Sequence, residues 1–408
     1  MRASNTLYGY FVLDTDVLDG PAMLAPETVL TDISGDVRAV STNRGKQRDL
    51  DEYMMGTAGV ELNNQNRKYD PTNTASPYYG NIAPMRTVHV TAVLNGIDYP
   101  LFRGYVETWG VDYSTPNLPL ASIAAGDAFL LFSRSELTAI AAAHSGDLAG
   151  ERIERVLDLP EVAFPVDIRD LDVGEVTFGP TTFNETGPAA LGYLQRAARS
   201  EDGALFVSKE GDLTFRERNT APGANAATFS DDGAAGSIRY LTVDQTTGTD
   251  LLYNRVKASG TSTVEQVVED TASQSDNLVV ATLDRLGELT LDDAVVLDQA
   301  RVVLAKYATV ETRLRQVQVA TQSLSATRQA ELLALELGAR VTVTRTPPGG
   351  GTPSTISQAA IVTGISHSIS RGGRDWITTL TFAAGKRAIG FVLDDVDLGQ
   401  LDDDFLAA

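Results

Sequence analysis

The chain has 408 residues, 43% of them hydrophobic, and its 54 acidic and 33 basic side chains give a formal net charge of -21. That length allows about two to four domains with real cores, while the acidic excess argues against tight nucleic-acid binding, which depends on Lys and Arg at the phosphates. The lack of cysteine excludes disulfides, cysteine-ligated zinc and thiol nucleophiles. No apolar run reaches the roughly 18 residues needed to cross a bilayer, and no signal peptide is expected.

Two short strands and an ordered polar loop are predicted early in the chain. After an N-terminal segment over residues 1–36, apolar and polar side chains alternate from Val37 onward and again over residues 57–62, which indicates two paired strands. The loop that follows is rich in Asn, Asp and Pro, so it is expected to be ordered without regular structure. It ends in Tyr78 and Tyr79, which are predicted to contact a partner protein.

Residues 37–125 are predicted to form a first β unit whose best-defined element is a hairpin. Alternating runs flank Asn95-Gly96, a dipeptide that favours a type I′ turn because both positions need φ above zero. Pro100 cannot donate a ladder hydrogen bond, so the second strand is expected to start at Leu101 or to lie at a sheet edge near Pro100.

Residues 126–235 are predicted to be a smaller α+β domain inserted between two β units. Apolar side chains recur at helical spacing after Asp127, after Asp147 and over residues 187–203. A short hairpin follows, with strands at 205–207 and 213–215.

Residues 236–385 are predicted to form a second β unit. A helix over residues 289–307 has aspartates at its start and Arg301 and Lys306 near its end, as the helix dipole favours. Four strands follow, at 315–324, 339–346, 359–370 and 375–384. The predicted fold class is therefore mainly β with an α+β insertion, in which two barrel-like β tube domains flank a smaller helix-containing domain.

Residues 386–408 are predicted to form an extended acidic C-terminal arm, in which six aspartates are interleaved with large apolar residues. The apolar residues predicted to contact a partner are Phe391, Leu393, Leu398, Leu401 and Phe405. Two interpretations stay open: a frayed tail, or an arm that becomes ordered on a neighbouring subunit. The second predicts that deletion of residues 388–408 leaves the monomer folded and impairs assembly.

The sequence offers little material for catalysis or metal binding. His89, His144 and His367 fall on separate elements, and His89 and His367 are expected on polar strand faces. Motifs for nucleotide binding, serine hydrolases and zinc proteases do not occur. We therefore predict no enzyme activity, no catalytic, cofactor-binding or metal-binding residue, and no cofactor.

Acidic and aromatic clusters receive structural interpretations. The acidic run over residues 49–52 is interpreted as a solvated turn, and Asp14, Asp16 and Asp19 lack the spacing of a calcium loop. Aromatic residues crowd the first β unit, where core and interface packing explain them more simply than stacking on sugars.

Several segments together resemble a known family. The block over residues 37–109, LYNRVKASG from Leu252, LGARVTVTRTPPGGG from Leu337 and FVLDDVDLGQLDDDFL from Phe391 are similar to minor tail proteins of long-tailed, siphovirus-like phages of actinobacteria, which in turn resemble phage tail-hub and baseplate-hub proteins. The resemblance covers most of the chain. Between residues 178 and 245 only ALFVSKEGDLTFRER is similar.

The resemblance implies a structural subunit of the virion tail tip that is assembled in the host cytoplasm. It implies a homotrimeric ring, with a hexamer as the other possibility, that continues the tail tube and lets DNA pass in transit. The implied partners are the distal tail or tail tube protein, the tape-measure protein and other minor tail proteins, without stable membrane insertion.

Three alternative functions stay open. A distal tail adaptor would be hexameric, a receptor-binding adhesin would bind host cells, and a polysaccharide-degrading tail enzyme would need two carboxylates flanking a sugar cleft. The acidic charge has two interpretations as well, namely solubility or a channel that repels DNA.

Overall fold

A computed structural model describes residues 2–4, 30–114, 119–137, 146–180, 189–220, 223–234, 236–261 and 263–384. Strands make up 42% and helices 22% of the structure, which confirms the predicted mainly β fold class with a helical insertion. The predicted C-terminal arm and His144 lie outside the described residues. None of the described helices is long and apolar enough to cross a bilayer.

The described residues contain twenty strands and six helices. The strands are β1 (Arg2–Ser4), β2 (Thr31–Asp32), β3 (Val37–Gly45), β4 (Met54–Asn63), β5 (Thr87–Leu94), β6 (Ile97–Asp112), β7 (Leu120–Gly126), β8 (Arg169–Leu171), β9 (Ala204–Val207), β10 (Leu213–Arg216), β11 (Ala227–Ser230), β12 (Ile238–Arg239), β13 (Thr242–Thr247), β14 (Arg255–Gly260), β15 (Gln266–Glu269), β16 (Thr282–Glu288), β17 (Thr312–Ala320), β18 (Arg340–Arg345), β19 (Ile356–Ser370) and β20 (Asp375–Ala384). The helices are α1 (Phe129–Arg134), α2 (Ala149–Leu157), α3 (Ala190–Ser200), α4 (Thr271–Asn277), α5 (Asp293–Tyr307) and α6 (Ala326–Ala334).

The first β unit confirms the predicted strand pair and hairpin. β3 pairs with β4, and β5 pairs with β6 across Asn95 and Gly96, whose φ angles of 52° and 79° suit a type I′ turn. β6 begins at Ile97 rather than at Leu101, so it includes Pro100. The proline is tolerated because β7 pairs only with residues 105–112 of β6, which leaves Pro100 at an edge.

The two predicted β units share one hydrogen-bonded sheet of 14 strands. The connection is β19, which pairs with β18 over residues 356–361 and with β3 over residues 364–370, while β20 runs along its other edge. β11, which the sequence places in the insertion, pairs in parallel with β18 of the second unit. The predicted domain limits stay a prediction, but strand pairing crosses the limit at residue 235.

The remaining helices and strands form two smaller groups. α2 and α3 pack beside the sheet β8-β10-β9 and contribute to the largest apolar core. α5 covers one face of the sheet β15-β14-β16 and shares a separate core with it. The sequence did not predict α6, although the Ser325 side chain accepts a hydrogen bond from the Arg328 backbone N–H at its start.

Candidate assembly interface and its buried support

The strand path of the large sheet ends at β12 on one side and at β2 on the other, and β13 ends a branch that joins this path through β17 and β20. β13 pairs with β17, and no described residue pairs with its other edge. At the far end, the path runs from β6 through β5 and β1 to β2. An open edge presents backbone N–H and C=O groups that can pair with another chain. Five of the six side chains of β13 are polar, Val243 packs partly buried against the largest core, and Leu241, just before β13, is exposed.

The loop after β4 is ordered by side-chain hydrogen bonds, as the sequence predicts. The Asp70 carboxylate accepts from the backbone N–H of Thr72 at 2.8 Å and from the Tyr113 hydroxyl at 2.8 Å. Bonds from Thr72, Tyr113 and Arg67 hold the pKa of Asp70 well below its usual range. The loop is therefore a fixed surface feature beside the first β unit.

The two tyrosines at the end of that loop differ in exposure. Tyr78 is half-buried and stacks on Tyr69 with ring centroids 5.5 Å apart, and Lys68 Nζ lies 5.4 Å from its ring. Tyr79 is 52% exposed. The structure thus leaves Tyr79 accessible and gives Tyr78 a packing role; a partner contact by either residue remains a prediction.

A buried ionic cluster joins the two β units to the insertion. Arg44 of β3 is 4% exposed, and its Nη1 donates to Glu336 Oε1 at 2.7 Å. The same guanidinium donates to the carbonyl oxygens of Leu101 in β6 and Val207 in β9, at 3.2 and 3.3 Å. One side chain therefore links three parts of the fold.

Lys209 completes this cluster from the turn after β9. Its Nζ donates to the carbonyl oxygens of Leu333, Ala334 and Leu335 at the end of α6, at distances of 2.8 to 3.2 Å. Its backbone N–H donates to Glu336 Oε2 at 2.9 Å. Burial lowers the pKa of Lys209, and the charge of Glu336 partly offsets this. A cation at the carbonyl end of a helix is favourable, so Lys209 fixes α6 against the insertion.

His367 lies in this buried region, which corrects the prediction that it sits on a polar strand face. It is 5% exposed, its Nδ1 lies 2.9 Å from Thr378 Oγ1, and the Trp376 indole N–H donates to it at 3.3 Å. Burial, together with the charges of Arg44 and Lys209, lowers its pKa to about 3. His367 is therefore a neutral core residue. His89 is partly buried in β5.

Asp127 is a second buried titratable group near Arg44. Its carboxylate accepts from the backbone N–H of Gly56 at 2.6 Å and of Phe129 at 2.9 Å. Burial raises its pKa to about 7, against the opposing effect of these bonds and of Arg44.

The acidic turn over residues 49–52 is only partly solvated, which corrects its interpretation from sequence. Asp49 accepts from the Tyr307 hydroxyl at 2.8 Å and lies 3.0 Å from Lys306 Nζ. Burial opposes ionisation, but the charges of Lys306 and Lys46 outweigh it and lower the pKa of Asp49. Asp51 and Glu52 are exposed.

The described residues contain no group of three or more side chains placed to hold a metal ion. Asp14, Asp16 and Asp19 lie outside them. Within the first β unit, the Trp109 indole N–H donates to the Ala83 carbonyl at 3.0 Å, which is a packing role as expected.

Most of the buried charges were missed from the sequence, although one signal was available. In β3 every second side chain faces inward, and Arg44 occupies the next inward position after the buried residues Val40 and Thr42. A charged residue at an inward position of a strand indicates a buried ion pair. The partners Lys209 and Glu336 lie too far away in the chain for the sequence pattern to connect them.

Solved structures of phage tail proteins share this fold. The 43 kDa tail protein of prophage MuSo2 from Shewanella oneidensis aligns with a TM-score of 0.54 at 13% identity, covering 88% of this chain and 95% of that one. The tail protein from Neisseria meningitidis MC58 gives a TM-score of 0.54 at 12% identity, with coverages of 85% and 95%. No protein-family model and no curated protein sequence matches the chain. The chain therefore has the fold of these tail proteins over most of its length.

Proposed function

We propose that this chain is a structural subunit of a phage tail tip, most similar to the tail hub of long-tailed phages of actinobacteria. Copies join into a homotrimeric ring that continues the tail tube and gives DNA a passage. The proposal is supported by the shared fold with two prophage tail proteins and by the sequence resemblance of several segments.

The open edge of β13 is the observation that carries the ring. β13 ends the branch that joins the large sheet through β17 and β20, and the strands around β1 lie at one end of its main strand path. These two ends are different surfaces, so joining one end to the opposite end of the next copy is a heterologous contact, and such contacts close into rings. Edge pairing also covers a strand that would otherwise be an aggregation site.

The buried ionic cluster supports the same proposal by tying together the first β unit, the insertion and the segment at the end of α6. Ring closure requires a constant angle between the two contact surfaces of each copy. Arg44 and Lys209 tie the two β units and the insertion together through Glu336 and the end of α6, and packed, hydrogen-bonded junctions of this kind limit relative motion.

Partners, charge and the C-terminal arm complete the proposal. The ring contacts the distal tail or tail tube protein, the tape-measure protein and other minor tail proteins. Its net charge of -21 disfavours retention of DNA on the channel wall. The arm over residues 386–408 becomes ordered on a neighbouring subunit. The chain performs no catalysis in this role.

The experiment is a mass measurement of the purified chain and of an edge variant. We expect three copies for the unaltered chain. The double variant Thr242→Lys, Gln245→Lys places two cations on the exposed side of β13, which blocks edge pairing, and we expect monomers with an unchanged unfolding midpoint. The matched control, Ser275→Lys with Thr309→Lys, adds the same charge elsewhere and should stay trimeric.

A hexamer in this measurement would favour the distal tail adaptor instead of the hub. An unaltered chain that stays monomeric at high concentration, or an edge variant that assembles as well as the control, would contradict the proposed ring.

A further inference from the structure

Exposed apolar side chains are concentrated in one part of the molecule. Of the 17 large hydrophobic residues that are exposed in the described part of the chain, nine lie between residues 264 and 310. This region is the small sheet β15-β14-β16 with α4 and α5. Single exposed apolar residues are ordinary, whereas a local concentration of them marks an interaction site.

Five of these residues lie on or next to two strands of the small sheet: Val267 is in β15, Leu286 is in β16, and residues 278–280 form the segment between α4 and β16. We name them the outer patch: Val267, Leu278, Val279, Val280 and Leu286. In the sheet register, Val256 faces α5 together with Val268 and Leu283. The next residue along β14, Lys257, therefore faces away from α5, beside Val267 and Asp284.

Leu278 is the residue that the fold itself explains least. It follows α4 with φ of 57°, in the left-handed region, and it is 92% exposed. Helices usually place Gly or Asn at this position because a Cβ is disfavoured there. Leucine here strains the backbone and also leaves a large apolar side chain in water, and no described contact offsets either cost.

The charges around the outer patch indicate what covers it. Glu265, Asp276 and Asp284 are exposed, and none of them makes an ion pair with a described residue. On the same face, Lys257 is half-buried on the central strand, and Arg255 lies 3.8 Å from Glu269. Each of the three exposed carboxylates lies two residues before an apolar member of the outer patch in the chain.

We infer that the outer patch binds a segment of a different protein that carries leucine-type side chains flanked by Lys or Arg. Apolar contacts to Leu278 and its neighbours would provide the binding energy, and the cations of the partner would pair with the exposed carboxylates. The inference stands apart from the proposed ring, since the outer patch is not on β13 or on the strands around β1.

A second copy of this chain and the chain's own C-terminal segment are both disfavoured as occupants of the outer patch, because both are negatively charged. A second copy of this chain carries a net charge of -21. The C-terminal segment over residues 385–408 has two basic residues and six aspartates, which gives a net charge of -4. Both would bring further carboxylates to a surface that already has unpaired ones.

The test is a binding titration of the full-length chain with three synthetic peptides at physiological ionic strength. Two are amphipathic helices with the same leucine pattern, one with lysine and one with glutamate at the polar positions, and the third copies residues 385–408. We expect the lysine peptide to bind and the other two to bind at least tenfold more weakly. The variant Leu278→Gly should reduce affinity for the lysine peptide about tenfold.

The control variant is Val166→Gly, which removes an apolar side chain that is 68% exposed in the insertion and should leave lysine-peptide affinity unchanged. Four results would overturn the inference: no binding of the lysine peptide, equal binding by the Leu278→Gly variant, an equal loss in the Val166→Gly control, or comparable binding of the glutamate peptide or the 385–408 peptide.

Discussion

Two regions of this molecule depart from the usual distribution of side chains in opposite directions. In the ionic cluster around Arg44, charged and titratable groups are buried where three parts of the fold meet. In the outer patch, large apolar groups are exposed on a small peripheral sheet. The polar groups of the cluster bond to residues of the same chain, whereas the exposed apolar area of the outer patch is covered by no described residue.

The difference separates residues that stabilise the fold of this chain from residues that we propose bind another protein. Each member of the cluster has named partners, so removing one leaves others buried without a partner, which is costly. Leu278 has no such partners, so its removal should leave the fold intact or improve it. The predictions below test this contrast, beginning with the largest effect.

The two buried titratable groups should give opposite pH dependences of stability. Asp127 has a pKa of about 7 in the folded chain against an ordinary 3.8, so the folded state retains a proton between these values and loses stability as pH rises from 4 to 7. His367 has a pKa of about 3 against 6.5, so the folded state loses stability as pH falls below 6.5.

Asp127→Asn and His367→Asn each remove one of these effects. The free energy of unfolding of the Asp127 variant, minus that of the unaltered chain, should increase as pH rises from 4 to 7. The same difference for the His367 variant should increase as pH falls below 6.5. Each change amounts to roughly 4 to 5 kcal/mol at 1.36 kcal/mol per pKa unit. Urea unfolding across this pH range measures both, and parallel slopes for the two variants would refute the assignment.

Breaking the buried ion pair between Arg44 and Glu336 should lower the free energy of unfolding substantially, but by less than the two pH effects above. Arg44→Met leaves Glu336 without its partner and should lower the free energy of unfolding by about 3 kcal/mol. Arg44→Met with Glu336→Met should recover part of the loss, because no uncompensated charge remains. The control is Arg301→Met, whose pair with Asp298 is exposed and should cost under about 1 kcal/mol. Equal effects at Arg44 and Arg301 would show that the cluster does not hold the units together.

The smallest predicted effect is an increase in the free energy of unfolding. Leu278→Gly removes left-handed backbone strain and should raise the free energy of unfolding by up to about 1 kcal/mol. Urea unfolding of the purified chain measures this change. A clear loss of stability would mean that Leu278 supports the fold, and the contrast between the two regions would fail.

Features set by neighbouring residues could be predicted from the sequence. The hairpin at Asn95-Gly96 depends on two adjacent backbone angles, and the ordered loop depends on residues such as Asp70 that bond within a few positions. The helix over residues 289–307 was recognisable from its periodicity, and its observed start at Asp293 follows the Asp292 cap.

Features set by distant residues could not be predicted in the same way. The pairing of β3 with β19 joins Val40 to Ile369, and neither strand contains a signal for the other. Asp49 and His367 looked like surface residues because the groups that enclose them, such as Lys306 and Arg44, come from other elements. The proposed ring would depend on other copies of the chain, so the sequence suggests it only through resemblance.

The most direct test of the central claim is a cryo-electron microscopy reconstruction of the assembled chain without imposed symmetry. The account predicts a closed ring of three copies in which β13 of each copy pairs with the strands around β1 of the next. A reconstruction of isolated protomers, or of a ring in which β13 faces solvent, would contradict it.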